Sequence, residues 1–212
     1  MKKVNIEIWS DIACPFCYIG KRKLEKALIE SGAGDKFEII WKSFQLDPEI
    51  EYQEGVTMIK SLSSRKGWSE DQTESAFAQV QNMGKESGLD FRFDKGLPAN
   101  TIYGHILIHL AQKRNAGNEI KEKLFRAYFT DGINISSKSE LIALAASIGI
   151  TDQEVDQALN NEQLLTEVKQ DILEAQQLGV RGVPFFVFDR KFAVSGAQPD
   201  EIFASAIAKA ME

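Results

Sequence analysis

Several features that would narrow the possible functions are scarce in this sequence. Its 212 residues include two cysteines and five prolines, and 25 Lys and Arg stand against 31 Asp and Glu, which gives a net charge of −6. This acidic balance excludes a general nucleic-acid binder, because such a protein needs a basic face to displace counterions from phosphates. The two cysteines also cannot act as a stabilising framework, because a bond between neighbours so close in sequence closes almost no loop.

Long hydrophobic runs are missing as well. No stretch approaches the roughly 20 consecutive apolar residues that span a bilayer. The first residues, MKKVNIEIWSDIACPF, lack the run of about 7 to 15 apolar residues that marks a secretory signal. At 43% apolar and 26% charged, the composition is typical of a globular protein. We therefore expect a soluble cytoplasmic protein that binds neither nucleic acid nor a membrane.

The beginning of the chain predicts a βαβ unit. Residues 4–9 alternate between apolar and polar side chains, and residues 37–44 are rich in β-branched and aromatic side chains, so both are predicted strands. Between them, Cys17, Leu24 and Leu28 recur at helical spacing. A strand, a helix and a second strand in this order indicate a parallel pair.

The middle and the end of the chain have different patterns. Residues 57–178 show helical periodicity that predicts about five or six helices. Residues 185–188 and 192–194 predict an antiparallel hairpin, and Pro199 opens a last helix. The predicted order is βαβ, a helical insertion, then ββα. Three capping boxes mark predicted helix starts within the insertion: Ser69 with Gln72, Ser137 with Glu140, and Thr151 with Glu154.

The two cysteines form one Cys-x-x-Cys at the junction of the first strand and helix. With Pro15 at the first helical position, Cys14 is the predicted cap residue, and its sulfur would face the free N–H groups of Phe16 and Cys17. The positive end of the helix should lower its pKa from about 8.5 to about 6.5. Cys17 shares its face with Leu24, so we expect it to be buried and to act as the resolving thiol.

A zinc site is the main alternative for the cysteines. His105 and His109 have metal-ligand spacing and could complete a site with Cys14 and Cys17. The two pairs are roughly ninety residues apart, however, and a proline between cysteines at a strand-to-helix junction favours redox chemistry. We therefore predict no metal and a packing or surface role for the histidines. A non-enzymatic zinc-binding module remains an open hypothesis.

Several motifs together resemble one protein family. They are Trp9–Asp11, Cys14–Lys21, Gly179–Val187 and Val194–Pro199. Over essentially the whole chain, the sequence resembles the cytoplasmic FrnE-like branch of the DsbA family of thiol–disulfide oxidoreductases. The resemblance implies an α/β, thioredoxin-like fold interrupted by a large all-α insertion. The implied parts are residues 1–50 and 179–212 for the thioredoxin-like domain and 51–178 for the helical domain.

The resemblance also implies site residues beyond the cysteines. The Val183–Pro184 bond would be cis and face the cysteine pair, so that the backbone of Val183 pairs with an extended substrate. Pro15 and Phe16, between the cysteines, are further expected substrate contacts. Asn100 and His105 would border the cleft, although Ile106 stands where the family usually has an arginine.

The leading functional hypothesis is exchange of electrons between Cys14–Cys17 and substrate dithiols or disulfides through a mixed disulfide. This chemistry needs no bound cofactor, and the expected partners are protein or small thiols and disulfides, including glutathione. The alternative is a glutathione-dependent isomerase or kappa-type transferase of the same fold. Those relatives usually carry serine at the position of Cys14 and have no second thiol, so Cys17 favours redox. Because no histidine lies between the cysteines, we expect a couple less oxidising than a strong periplasmic oxidant.

Overall fold

A computed structural model describes residues 3–212 and contains a four-stranded sheet. Strand β1 (Val4–Ser10) runs parallel to β2 (Phe37–Ser43) and antiparallel to β3 (Phe185–Phe188). Strand β4 (Phe192–Ser195) pairs with β3, which gives the order β2-β1-β3-β4. The predicted parallel pair and the predicted hairpin are both confirmed. Since β1 is paired on both sides, its carboxyl end is the end of an interior strand of the sheet.

Two helices belong to the sheet elements. Helix α1 (Pro15–Glu30) connects β1 to β2, and α9 (Asp200–Ala210) follows β4 and packs beside α1. Pro199 is the cap residue of α9 and not its first helical residue, so the predicted start is one residue early. Gly20 of α1 lies directly against the Pro184 and Phe186 side chains, where even a Cβ atom would come within 3.0 Å of both. This close approach brings α1 against the segment that leads into β3.

Residues 57–178, all of them described by the structure, form seven α-helices. The prediction of five or six is therefore too low. Three of the helices span only eight or nine residues, which is too short for a periodic pattern to separate them reliably. A π-helical turn, Ala127–Asp131, continues one of the seven. The helices are α2 (Met58–Lys66), α3 (Glu70–Glu86), α4 (Ile102–Gln112), α5 (Gly117–Arg126), α6 (Lys138–Ala146), α7 (Asp152–Leu159) and α8 (Glu162–Gln177).

The starts of these helices follow the predicted capping boxes in two of three cases. Ser69 with Gln72 and Thr151 with Glu154 each make both reciprocal hydrogen bonds. Ser137 does precede α6, but its side chain makes no cap hydrogen bond, so that box is wrong. Its hydroxyl pairs instead with the hydroxyl of Ser139 at 2.9 Å.

The hydrophobic core is continuous from the sheet into the helices. Ile8 of β1 and Phe186 of β3 belong to the same buried cluster as Leu107 of α4 and Phe125 of α5. The helices are therefore packed onto the sheet through shared apolar contacts. The division into residues 1–50, 51–178 and 179–212 stays a prediction. None of the helices in the described part of the chain is long and apolar enough to cross a membrane.

Candidate active site

The cysteine pair lies where β1 turns into α1. Cys14 is the cap residue of the helix, with an extended backbone (φ −99°, ψ 110°), and Pro15 follows it in the first turn. Both thiols are free, and 3% of Cys14 and 1% of Cys17 is exposed. Phe16, between them, is 39% exposed. Both cysteines are therefore buried, and of the two only Cys14 lines the groove described below.

A distant segment meets Cys14 at this point. The Cys14 thiol donates a hydrogen bond of 3.4 Å to the carbonyl oxygen of Val183, which is 169 residues further along the chain. The Val183–Pro184 peptide bond is cis, as the family resemblance implies. Among the hydrogen bonds of the described residues, none uses the Val183 N–H as donor to another backbone group. The backbone beside the sulfur is thus free to pair with a substrate strand.

The expected lowering of the Cys14 pKa is wrong in this structure. The thiol donates to Val183, and the backbone N–H of Cys17, which acts on the sulfur in the direction that lowers its pKa, is outweighed. The hydrogen bond with Cys17, followed by burial, raises the pKa of Cys14 well above its ordinary value. The nearby charge of Asp11 contributes in the same direction. A hydrogen bond donated by the thiol and a low-dielectric surrounding both favour the protonated form.

Ionisation of Cys14 should therefore occur at higher pH than that of free cysteine. In reduced protein, we expect the rise in thiolate absorbance at 240 nm that is lost in Cys14→Ser to have its midpoint above about 8.5. The rate of reaction with a small disulfide should rise between pH 7 and 9, because the thiolate is the attacking species. A Cys14-dependent midpoint near 6.5 would contradict the raised pKa and would agree with the lowered pKa that the sequence predicts.

Asp11 and His105 form a buried pair beside the cysteines. His105 Nε2 lies 3.3 Å from Asp11 Oδ1, while Asp11 Oδ2 accepts a 2.8 Å hydrogen bond from the backbone of Leu46. Burial alone would raise the pKa of Asp11, but the bonds from His105 and Leu46 outweigh it and lower the pKa below its ordinary value. Burial lowers the pKa of His105. An ionised Asp11 is thus fixed close to Cys14.

The other predicted polar residues lie at different places. Asn100 donates 2.9 and 3.2 Å hydrogen bonds to the carbonyl groups of Pro48 and Ile50 and so holds the loop after β2. His105 contacts the cleft only through Asp11. His109 lies away from the cysteines, with its Nε2 3.1 Å from Ser43 Oγ and 3.0 Å from Asp171 Oδ2. Among the described residues, no three His, Cys, Asp or Glu side chains are placed to hold a metal ion.

A largely apolar groove of about 550 Å³ opens at Cys14. Pro15 and Phe16 line it together with residues of helices α2 and α3. Most of the remaining lining is aliphatic or aromatic, with charged side chains at Asp11, Asp47, Arg65 and Lys66. The apolar lining includes Leu46, Ile50, Met58, Leu62, Phe77, Val80, Phe93, Tyr128 and Phe129.

The geometry and the sequence both match a known family. A family model described as the DSBA-like thioredoxin domain matches residues 5–208. The chain belongs to the DsbA-like thioredoxin family. The FrnE-like branch is compatible with this match. The four-stranded sheet with its helices is the fold expected from the resemblance.

Three relatives of this DsbA-like chain indicate how widely the similarity extends. The crystal structure of the probable DsbA oxidoreductase SCO1869 from Streptomyces coelicolor is 35% identical, with a TM-score of 0.90, over 98% of this chain and 90% of the other. The uncharacterized protein YwbO of Bacillus subtilis strain 168 is 26% identical over 206 residues, 96% of each chain. The cytosolic disulfide reductase DsbM from Pseudomonas aeruginosa, solved with GSH, shares the fold at 16% identity and a TM-score of 0.71, over 98% of this chain and all of the other.

Some features of this DsbA-like site have no recognisable signal in the sequence. The groove wall comes from α2 and α3, whose apolar residues carry only the ordinary periodicity of helices packed on a core. Asp11 stands in the sequence only as part of the Trp9–Asp11 motif, and its pairing with His105 spans 94 residues. Lys121 reads as a polar position of an amphipathic helix, yet it is buried. No local signal distinguishes these residues before the chain is folded.

Proposed function

We propose that the protein is a thiol–disulfide oxidoreductase in which Cys14 is the nucleophile and Cys17 the resolving thiol. The thiolate of Cys14 attacks a substrate disulfide, so that a bond forms between the Cys14 sulfur and one substrate sulfur and the other leaves as a thiolate. The thiolate of Cys17 then attacks the Cys14 sulfur and releases the second substrate thiolate. Two electrons pass from the cysteine pair to the substrate, and two protons from the cysteines are recovered on the substrate thiols.

The observation that carries this proposal is the meeting of Cys14 with the cis Val183–Pro184 segment. The reactive sulfur lies 3.4 Å from the carbonyl oxygen of Val183. It is therefore next to a backbone segment that can bind an extended chain. A substrate strand paired with Val183 would carry its own sulfur past Cys14. Because main-chain hydrogen bonds supply the recognition, substrates of differing sequence can be accepted.

The groove supports a preference among substrates. Its apolar lining begins at Pro15 and Phe16, so a substrate with an apolar side chain near its disulfide would bury that side chain next to Cys14. A small thiol such as glutathione, the ligand in the DsbM structure, is a suitable partner for returning the pair to its starting state. We therefore propose apolar peptide disulfides as substrates and a small thiol as the source of electrons.

The raised pKa of Cys14 favours a weak oxidant. In strong oxidants the reduced form is stabilised, and an easily ionised cysteine does this by holding a stable thiolate. Here the hydrogen bond with Cys17 and burial both disfavour the thiolate of Cys14. The reduced form therefore lacks that stabilisation at Cys14. The reduced pair is then a better electron donor, in agreement with the less oxidising couple expected from the sequence.

The experiment that tests this function uses each single cysteine variant. Cys17→Ser should accumulate a mixed disulfide between Cys14 and a fluorescent peptide or glutathione disulfide, because the step that resolves it is missing. Cys14→Ser is the matched control and should form far less adduct, because its one remaining thiol, that of Cys17, does not line the groove that opens at Cys14. Mass spectrometry of intact protein measures both. Equal adduct in the two variants would contradict the assigned order of attack.

The isomerase or transferase alternative makes a different prediction for the same variants. A glutathione-dependent enzyme of that kind does not need a resolving thiol. Turnover of a disulfide that survives fully in Cys17→Ser would therefore favour the alternative, whereas loss of turnover with accumulation of the mixed disulfide supports redox exchange.

A further inference from the structure

One tyrosine of the groove has a hydroxyl without a hydrogen-bond partner. Tyr128 lines the groove together with Cys14, and only 4% of it is exposed. Among the side-chain hydrogen bonds of residues 3–212, none uses its hydroxyl. By contrast, Tyr18, which is buried to the same extent, donates its hydroxyl to Glu122. A buried hydroxyl without a partner is costly, so its presence indicates a partner that comes from outside the chain.

The oxygen of Tyr128 is accessible from the groove. Of the polar side-chain atoms that are completely enclosed within the described part of the chain, Ser10 Oγ and Trp41 Nε1 lack a hydrogen-bond partner. The Tyr128 oxygen also lacks a partner, but it is not enclosed in this way. Since Tyr128 lines the groove, its oxygen can be reached from there. A molecule bound in the groove can therefore supply the missing partner.

The backbone holds this side chain in place. Tyr128 belongs to the π-helical turn Ala127–Asp131, and such turns are frequent at functional sites. The turn is fixed by a neighbouring segment, because the Arg92 N–H donates a 2.7 Å hydrogen bond to the carbonyl oxygen of Phe129. The rings of Tyr128 and Phe129 pack edge to face, with their centroids 4.9 Å apart. The phenol is therefore positioned before a substrate binds.

The charges around Tyr128 favour an uncharged acceptor. Burial, followed by the charge of Asp11, raises the pKa of Tyr128, so the phenol keeps its proton at neutral pH and can donate. Asp11 lines the same groove, and its ionised side chain disfavours a second carboxylate there. Arg65 acts on the phenol in the opposite direction, but it forms an ion pair with Asp47. A peptide carbonyl oxygen is neutral and therefore fits a hydroxyl donor in a largely apolar groove.

We propose that Tyr128 is a specificity-determining residue whose hydroxyl donates a hydrogen bond to a peptide carbonyl of the substrate in the groove. This proposal rests on the proposed disulfide exchange at Cys14 and adds a means of distinguishing peptide disulfides from small ones. A peptide that fills the groove gains this hydrogen bond, whereas a small disulfide that reaches only Cys14 does not. The hydroxyl keeps its proton throughout, so it strengthens binding and leaves the chemical step unchanged.

The first test compares two disulfides in Tyr128→Phe, which loses only the hydroxyl. For a disulfide between apolar peptides, KM should rise about fivefold to tenfold and kcat should stay within about twofold, because one hydrogen bond to a neutral acceptor is lost. For hydroxyethyl disulfide, which has no carbonyl, both constants should be unchanged. Tyr103→Phe is the matched control, since Tyr103 is 41% exposed and does not line the groove. An unchanged KM for the peptide in Tyr128→Phe, or an equal loss with both disulfides, would overturn the proposal.

A second test identifies the acceptor on the peptide. In a set of peptides, each peptide bond near the cysteine is replaced in turn by an alkene of the same shape, which has no carbonyl. One replacement should raise KM about fivefold to tenfold with wild-type protein and less than about twofold with Tyr128→Phe, because both changes remove the same hydrogen bond. The other replacements should have equal effects in the two proteins. If every replacement has equal effects in both, the proposal is wrong.

Failure of this inference is distinguishable from a folding defect and from failure of the proposed function. Because the hydroxyl has no partner among the described residues, Tyr128→Phe should unfold at the same urea concentration as the wild type, and a clear loss of stability would overturn the proposal. If wild-type protein reduces neither disulfide, disulfide exchange itself is wrong, and this inference with it. If it reduces both and Tyr128→Phe keeps the wild-type KM for the peptide, exchange stands and the role of Tyr128 is wrong.

Discussion

Replacing Cys14 with serine is expected to lower the rate of disulfide reduction by at least about 1000-fold, to the rate of the reaction without enzyme. Serine keeps the shape of the site, but its hydroxyl does not ionise near neutral pH and cannot form a disulfide with the substrate. Cys17 cannot replace the lost nucleophile, because it does not line the groove that opens at Cys14. Reduction of a fluorescent peptide disulfide, with glutathione as the electron source, measures the rate.

Two comparisons make this result specific. Circular dichroism and urea unfolding should show that Cys14→Ser folds like the wild type, because one buried atom changes and no structural bond is lost. Cys17→Ser should behave differently from Cys14→Ser. Its first step, formation of the mixed disulfide, should proceed near the wild-type rate, and the reaction should then stop because nothing resolves the mixed disulfide. Turnover by Cys14→Ser within about tenfold of the wild type would contradict its role as nucleophile.

Replacing Lys121 with methionine is expected to raise the free energy of unfolding at pH 7 by about 3 kcal/mol. The pKa of this lysine falls from 10.5 to about 8 on folding, which means that folding disfavours its charged form. Methionine has a similar length, fills the same space and removes the buried charge.

The pH dependence of this effect follows from the same shift. Below pH 8 both folded and unfolded chains carry the proton, so the full penalty is present. Between pH 8 and 10.5 the unfolded chain binds more protons than the folded one, so the stability of wild-type protein rises with pH through this group. The advantage of Lys121→Met should thus shrink to about 1.5 kcal/mol at pH 9.5.

Urea unfolding of the reduced proteins at pH 7 and 9.5 measures both values. Taking the difference between variant and wild type removes the contributions of titrating groups that do not interact with Lys121. Lys42→Met serves as the opposite control and should be destabilising, because it leaves buried Asp171 without its 2.7 Å ion pair. A destabilised Lys121→Met, or a difference that does not change with pH, would contradict the expected penalty.

The sequence predicted the sheet well because its strands have strong local patterns. The alternation in residues 4–9 and the aromatic run at 185–188 each indicate a strand without reference to the rest of the chain. The predicted number of helices between residues 57 and 178 was too low, because the apolar patterns of short helices separated by only a few residues cannot be told apart. The cis Val183–Pro184 bond followed from the family resemblance, since an X–Pro sequence by itself allows either isomer.

The sequence alone determined where the chemistry lies. A proline after Cys14 sets the start of α1, and helical spacing then turns Cys17 inward, because both depend on residues only a few positions apart. Only the tertiary structure decided how the thiols ionise. The pKa of Cys14 depends on its contacts with Cys17, on Asp11 and on burial, while its proton faces a carbonyl 169 residues away. Electrostatic energies are set by whatever surrounds a group in space, and packing brought Val183 there from a distant part of the chain.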